Sequence, residues 1–401
     1  MRRTRIGAAT VALVAVVVVV SVACTNPVGS SGGNSGSSGS SGGDPPVDTW
    51  SGEGPFGYFA GFHHDGVRKV PVYWTATTED GGAITISDPV GLCSVVTSPC
   101  HGAIGEATDI FVDAEDVVHV VGWFTRDGAQ AAAYWVVDDD EVVLYGLDNT
   151  RSGSATGIAM DLSGIVYISG YYKTAGPDPV DIAAYWTVNA GIIDDVSDLR
   201  DTSDPVTHDS RATGIAVDGS GVVYASGYYD NGAHDVAAYW RDSGGSVSRV
   251  DLYPSALSQA NAITVDGTTV YVAGRYLDGL IRAAIWMNDE DGLQQLSSQT
   301  SNVKAVTRSN GQTYVSGDYR PVPAEPRRVA AYWLGATQTD LEQDAPTDST
   351  FANGIAVAGG DIYIAGARDS GTKRAVYWKN ESIVELSTDA ESQAKALFIR
   401  Q

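Results

Sequence analysis

His63, His64 and Asp65 stand together, as do His208 and Asp209 with Asp201 and Asp204 just before them, and His234 with Asp235; His101 follows a cysteine. Neutral imidazole beside carboxylate can hold a divalent cation or move a proton between acid and base. No fixed spacing demands either. Nucleophile elbow, metal-binding helix motif and phosphate loop are all missing from the sequence. We therefore assign no catalytic residue, no metal ligand and no required cofactor, a divalent cation being the one such groups could take. A second pattern is cationic: Arg68 with Lys69, Arg282, Arg327 with Arg328, and Lys373 with Arg374. A rim of this kind suits an anionic glycan or a charged protein, while cross-strand and interblade ion pairs are the plainer reading.

These residues recur at matching places because the chain repeats. Ala183-Ala184-Tyr185-Trp186 returns in varied form with its Trp at positions 74, 135, 186, 240, 286, 333 and 378. Seven copies at this spacing mark stacked units that bury their apolar faces only against one another. One copy runs from Ala212 through Gly214-Ile215 and Asp218-Gly219-Ser220-Gly221 to Gly227, then through Ala238-Tyr239-Trp240 to Leu252. Four β-rich runs separated by turn residues read as a meander of strands a, b, c and d. The expected fold is all-β: a seven-bladed propeller of four-stranded antiparallel blades. Gly57 to Phe62 is a strand b with no strand a before it, and Ala394 to Ile399 a strand a with nothing after it, so the two should pair and close the ring.

Within that frame several repeated residues have structural readings. The Trp set is core. The glycines at 170, 227, 274, 317 and 366 mark close approach of neighbouring sheets. Asp113, Asp161, Asp218 and Asp266 end strand a and suit side-chain bonding to the turn that follows. His119 replaces the Tyr of other blades and reads as a packed side chain. The a-to-b turns are short, whereas the d-to-a connections at 88–106 and 198–211 and the b-to-c connections at 173–180 and 320–327 are long. Long loops on a rigid scaffold are where binding residues are usually placed, so function is expected on that face.

The order Gly-Ile, short turn, Gly-ended strand, aromatic-Trp and final Leu resembles the extracellular HAF-type repeat and, more broadly, the seven-bladed propeller lipoproteins of bacteria. The resemblance spans roughly residues 54–401 and implies fold and location, with no catalytic residue to carry over. Sialidase-type Asp boxes and Trp-Asp blade endings do not occur.

The amino-terminal stretch agrees with export. Arg2, Arg3 and Arg5 precede an apolar run from Ala8 to Val20 and the sequence Ser21-Val22-Ala23-Cys24. This resembles a lipobox, which implies a signal peptide over 1–23 and lipidation of Cys24; ordinary secretion or an uncleaved anchor is the alternative. Residues 24–50 form a tether rich in Ser and Gly, and 51–401 the propeller. Cys93 and Cys100, in an oxidising compartment, should form a disulfide.

Charge bounds the partners. The formal net charge is −24, with 25 Lys+Arg against 49 Asp+Glu, and removing three leader arginines makes it −27. Nucleic acid is an unsuitable partner. Residues 24–274 hold 9 basic and 33 acidic side chains, residues 275–401 hold 13 and 16, so the ring should be electrostatically lopsided. The expectation is a monomeric, non-enzymatic binding or scaffolding lipoprotein of the bacterial cell envelope. It would be held to the membrane by its lipid alone and engage an extracellular protein or glycan on the long-loop face. A glycan hydrolase or lyase using the histidines and carboxylates of that face is the alternative.

Overall fold

A computed structural model describes residues 54–79, 82–94, 98–139, 141–148, 150–194, 196–200, 208–322, 326–343, 345–388 and 390–400. The leader, Cys24, the tether, Asp201 and Asp204 lie outside them. Seven antiparallel sheets follow one another around a ring, each running from an inner strand a to an outer strand d. The inner strands are Ser392–Ile399 in blade 1, Gly105–Val112, Gly153–Met160, Ser210–Val217, Ser258–Asp266, Ser301–Ser309 and Ser349–Ala358. Blade 1 is shared by the two ends of the propeller: Gly57–His64 pairs with Lys69–Thr78 on one side and with Ser392–Ile399 on the other. Arg400 tightens the seam, donating from its backbone to the Phe56 carbonyl at 2.9 Å and from its guanidinium to the Tyr58 hydroxyl at 2.8 Å.

Every inner strand contains one bulge. The pairing with strand b skips Thr108, Thr156, Thr213, Asn261, Lys304, Asn353 and Lys395 in turn. A bulge bends its strand and turns the extra residue out of the ladder. Opposite each one stands a strand-b glycine. A Cβ at Gly227 would run into the carbonyl oxygen of Arg211 and come within 2.9 Å of Trp240 Cζ3, and Gly170 meets Ser154 and Trp186 in the same way. The repeated glycine therefore clears space inside its own blade, for an inner-strand carbonyl beside the bulge and the Trp ring. This corrects the expectation that it marks approach between blades.

The seven Trp rings are essentially fully buried, and so are the Leu residues that end strand d, from Leu92 to Leu386. Burying a ring of this size contributes on the order of 2–3 kcal/mol by area, which explains why the motif recurs in every unit.

Between blades the polar contacts are also periodic. The hydroxyls of Ser210, Ser258, Ser301, Thr350 and Ser392 accept the N–H of Ala183, Ala237, Ala283, Ala330 and Ala375 of the preceding blade at 2.8–3.0 Å. The first Ala of the repeated tetrapeptide is thus a docking point, short enough in side chain to let the next inner strand reach its backbone.

Three of the turn aspartates behave as read. Asp113, Asp161 and Asp218 each accept two backbone N–H groups of the turn through Oδ1. Oδ2 then meets His119 Nε2 at 3.2 Å in blade 2 and the hydroxyls of Tyr167 and Tyr224 in blades 3 and 4. His119 is buried, with Nδ1 2.6 Å from the Tyr134 hydroxyl. Asp266 departs from the expectation. Its strand turns over only two residues, and the carboxylate receives Arg308 of blade 6 at 2.7 Å instead.

Candidate functional site

One layer of side chains, at the bulges, lines the channel, and a second lies just before it on the long-loop side. In the bulge layer, five side chains bond to the next blade. Thr108 Oγ1 donates to the Ala155 carbonyl at 3.0 Å, Thr156 to Ala212 at 2.9 Å and Thr213 to Ala260 at 3.0 Å. Asn261 Nδ2 reaches Val303 at 2.6 Å and Asn353 Nδ2 reaches Ala394 at 2.7 Å. Lys304 and Lys395 occupy the two remaining places.

All seven bulged residues line a cavity of about 640 Å³ that continues along the inner strands to the a-to-b turn at Asn310 and Gly311. This cavity therefore runs toward the face opposite the long connections. Asp109 stands in it where the other blades carry Gly or Ala. Its carboxylate accepts the N–H of Ile158 in the next blade at 3.0 Å and that of Ile110 at 2.9 Å. Burial outweighs both bonds and pushes it up to about 6.

The second layer comes from the residue after each strand-b glycine. Trp123, Tyr171 and Tyr228, half-buried in blades 2, 3 and 4, pair across the strands with Glu106, Ser154 and Arg211. Blades 5 and 6 replace the aromatic ring by Arg275 and Asp318. Arg211 lies 4.6 Å over the Tyr171 ring and donates to the buried Asp181 at 2.6 Å, which Lys173 also meets at 2.6 Å. Arg275 holds Gln259 at 2.6 Å, and Gln259 donates to Asp235 at 2.6 Å. This arc was not singled out from sequence. Its signal is the position directly after a recurring glycine, which means nothing until the bulge is known.

Among the described residues the histidine and carboxylate candidates do not converge. Asp65 closes a turn, accepting the N–H groups of Arg68 and Val67 at 2.9 Å, which hold its carboxyl below the usual range. His64 Nδ1 accepts from Gly66 at 3.2 Å. His63 is half-buried, its Nδ1 lacking a partner among the described residues. His101 is exposed on a turn, its N–H on the Ser98 carbonyl. Asp209 accepts the Asp181 N–H through Oδ1 at 2.8 Å, a latch between blades 4 and 3. His234 approaches the Pro254 carbonyl at 3.3 Å, away from the Asp235 bond to Gln259. Among the described residues no three His, Cys, Asp or Glu side chains are grouped to hold a metal ion. Cys93 and Cys100 are joined by a disulfide at a Cα separation of 5.2 Å, pinning the loop that carries buried Leu92.

The cationic rim is mostly engaged. Lys69 bonds Glu106 of the next blade and lies 3.9 Å over Phe62. Arg328 bonds Asp318, Arg327 donates to Gln343 at 2.8 Å, and Arg282 donates to the Ser298 carbonyl at 2.9 Å. Lys373 lies 5.1 Å over Phe351, and Arg374 faces Arg368 across the strands. These groups stand in blades 5, 6, 7 and 1, whereas Asp181 and Asp235 take the equivalent places in blades 3 and 4.

No family profile matches the sequence, and no curated protein matches it. Solved structures do resemble the chain. The β-propeller domain of the Trilobed protease from Pyrococcus furiosus is similar at a TM-score of 0.48 and 8% identity, over 82% of this chain and 92% of that one. A protein of unknown function from Dyadobacter fermentans is similar at 0.46 and 10%, over 67% and 84%. Trypanosoma rangeli sialidase is similar at 0.45 and 10%, over 78% of this chain and 56% of that one. The likeness goes no further than the fold.

Proposed function

We propose that the chain is a binding or scaffolding lipoprotein of the bacterial cell surface, held by lipid at Cys24, that takes an extracellular glycan or protein at the channel mouth on the long-loop side. The observation that carries this reading is the run of half-buried rings Trp123, Tyr171 and Tyr228 in three consecutive blades, bordered by Arg211, Gln259 and Arg275. Aromatic faces stack on the apolar faces of sugar rings while the polar groups around them receive hydroxyls, so of the two partners the arc favours a glycan.

The test is sedimentation of the chain from Thr25 onward with insoluble envelope polysaccharide. Tyr171→Ala and Trp123→Ala should each weaken binding about tenfold, the equivalent of about 1.4 kcal/mol. Equal binding by wild type and both variants would move the site elsewhere. Membrane fractionation of Cys24→Ser tests the anchor separately: the variant should leave the membrane pellet.

A further inference from the structure

The bulge layer contains an anomaly that the aromatic mouth does not explain. Five of its seven side chains are neutral and donate to a carbonyl of the next blade. Lys304 does not. Among the described residues it has no hydrogen-bond or ion-pair partner; its side chain is exposed to the channel that the seven inner strands ring. Lys395, two blades on, faces Glu106 at 2.9 Å. Asn353 stands between the two lysines in the ring, with its amide already on Ala394.

The neighbouring charges leave this arc cationic. Lys395, Arg275 and Arg328 all act on Lys304 as like charges. Of the carboxylates nearby, Asp318 is bonded to Arg328 and Glu106 lies between the ammoniums of Lys69 and Lys395. Burial lowers the Lys304 ammonium from its ordinary value, and the attraction of Asp318, the largest of the charge effects on it, does not offset burial and the adjoining cations together. A Thr or Asn here would supply the interblade bond its neighbours make. A lysine gives up that bond and adds an unpaired charge, a locally unfavourable choice of the kind concentrated at binding sites.

We propose that Lys304 and Lys395, on either side of Asn353, form a binding site for one small oxyanion, a carboxylate or a phosphate group, at the inner end of the channel cavity. An anion there supplies the missing counter-charge to Lys304 and shares Lys395 with Glu106 through charge-assisted hydrogen bonds. The cavity of about 640 Å³ accommodates such a group with room for more of the molecule that bears it.

Calorimetric titration of the chain from Thr25 onward with inorganic phosphate, and in a second arm with glucuronate, tests the site. One-site binding in either arm is expected, weakened at least about tenfold by Lys304→Gln and kept within a few-fold by Lys304→Arg. Phosphate alone would identify a free ion, glucuronate alone the acid group of a sugar, and both the shared chemistry. The anion-free melting temperature of Lys304→Gln should not fall below wild type, because an unpaired charge has been removed. No heat in either wild-type arm, wild-type affinity in Lys304→Gln, or unfolding of that variant overturns the proposal, the last by making Lys304 a structural residue.

Discussion

The Thr213 hydroxyl of blade 4 lies 3.0 Å from the carbonyl oxygen of Ala260 in blade 5, and the same bond joins Thr156 to Ala212 one blade earlier. Propeller blades are thus joined by a polar stitch at the axis as well as by the apolar packing of their faces. The stitch exists because each inner strand bulges by one residue, which turns a short donor sideways toward its neighbour.

Replacing Thr213 by Val keeps the shape and removes the donor, leaving the Ala260 carbonyl short of a partner. Urea unfolding should show a loss of about 1–2 kcal/mol. Thr213→Asn should recover most of it, since Asn261 and Asn353 do the same work in their blades. A valine variant as stable as wild type would show that solvent in the channel replaces the bond.

Gly227→Ala places a Cβ against both the Arg211 carbonyl and the Trp240 ring. Neither can withdraw without undoing the bulge or the core, so a loss of about 3–5 kcal/mol is expected. Gly221→Ala is the control. Its φ of 78° strains an alanine, but nothing lies within 4 Å, and the cost should stay near 1 kcal/mol. Comparing the two by thermal melting separates steric from conformational demand.

Ring closure rests on Ser392–Ile399 beside Gly57–His64. Deleting residues 394–401 exposes the edge of Gly57–His64 and the flank of blade 7. The single cooperative transition should broaden or split, and the protein should self-associate on sizing columns. An unchanged sharp transition would mean that the remaining blades hold the ring without it.

Asp109 predicts a pH dependence with a definite sign. Its pKa rises from 3.8 unfolded to about 6 folded, so the folded protein binds the extra proton between those values. Stability from this group is greatest below about pH 4 and falls as pH rises through about 6. The shift corresponds to about 3 kcal/mol, which its opening onto the channel reduces to about 1–2 kcal/mol. Asp109→Asn should lose this contribution to the pH dependence, and because its Nδ2 cannot accept the second N–H that Asp109 takes, its stability at pH 7.5 should stay close to wild type. Equal slopes of melting temperature against pH in the two proteins would refute the assignment.

The seven-fold count, the order of strands within a blade and the pairing of the first and last strands are all legible in the residues. Each follows from local period or from an element whose partner is missing: Trp recurs because every unit must fill the same gap, and turn residues recur because their backbone conformations do. Three of the four turn aspartates could be assigned for the same reason, since their partners are within six residues, and His119 because it holds the place of the Tyr in other blades. The site was not legible. Its members lie one per blade and come together only when the ring closes, and what selects them is the bulge, a slip in pairing that leaves no mark on composition or period. Nothing in the sequence sets Lys304 apart from the other lysines. Only the tertiary structure, by setting Arg275, Arg328 and Lys395 around it while placing its would-be counter-ions in other bonds, makes it a cation in want of a partner.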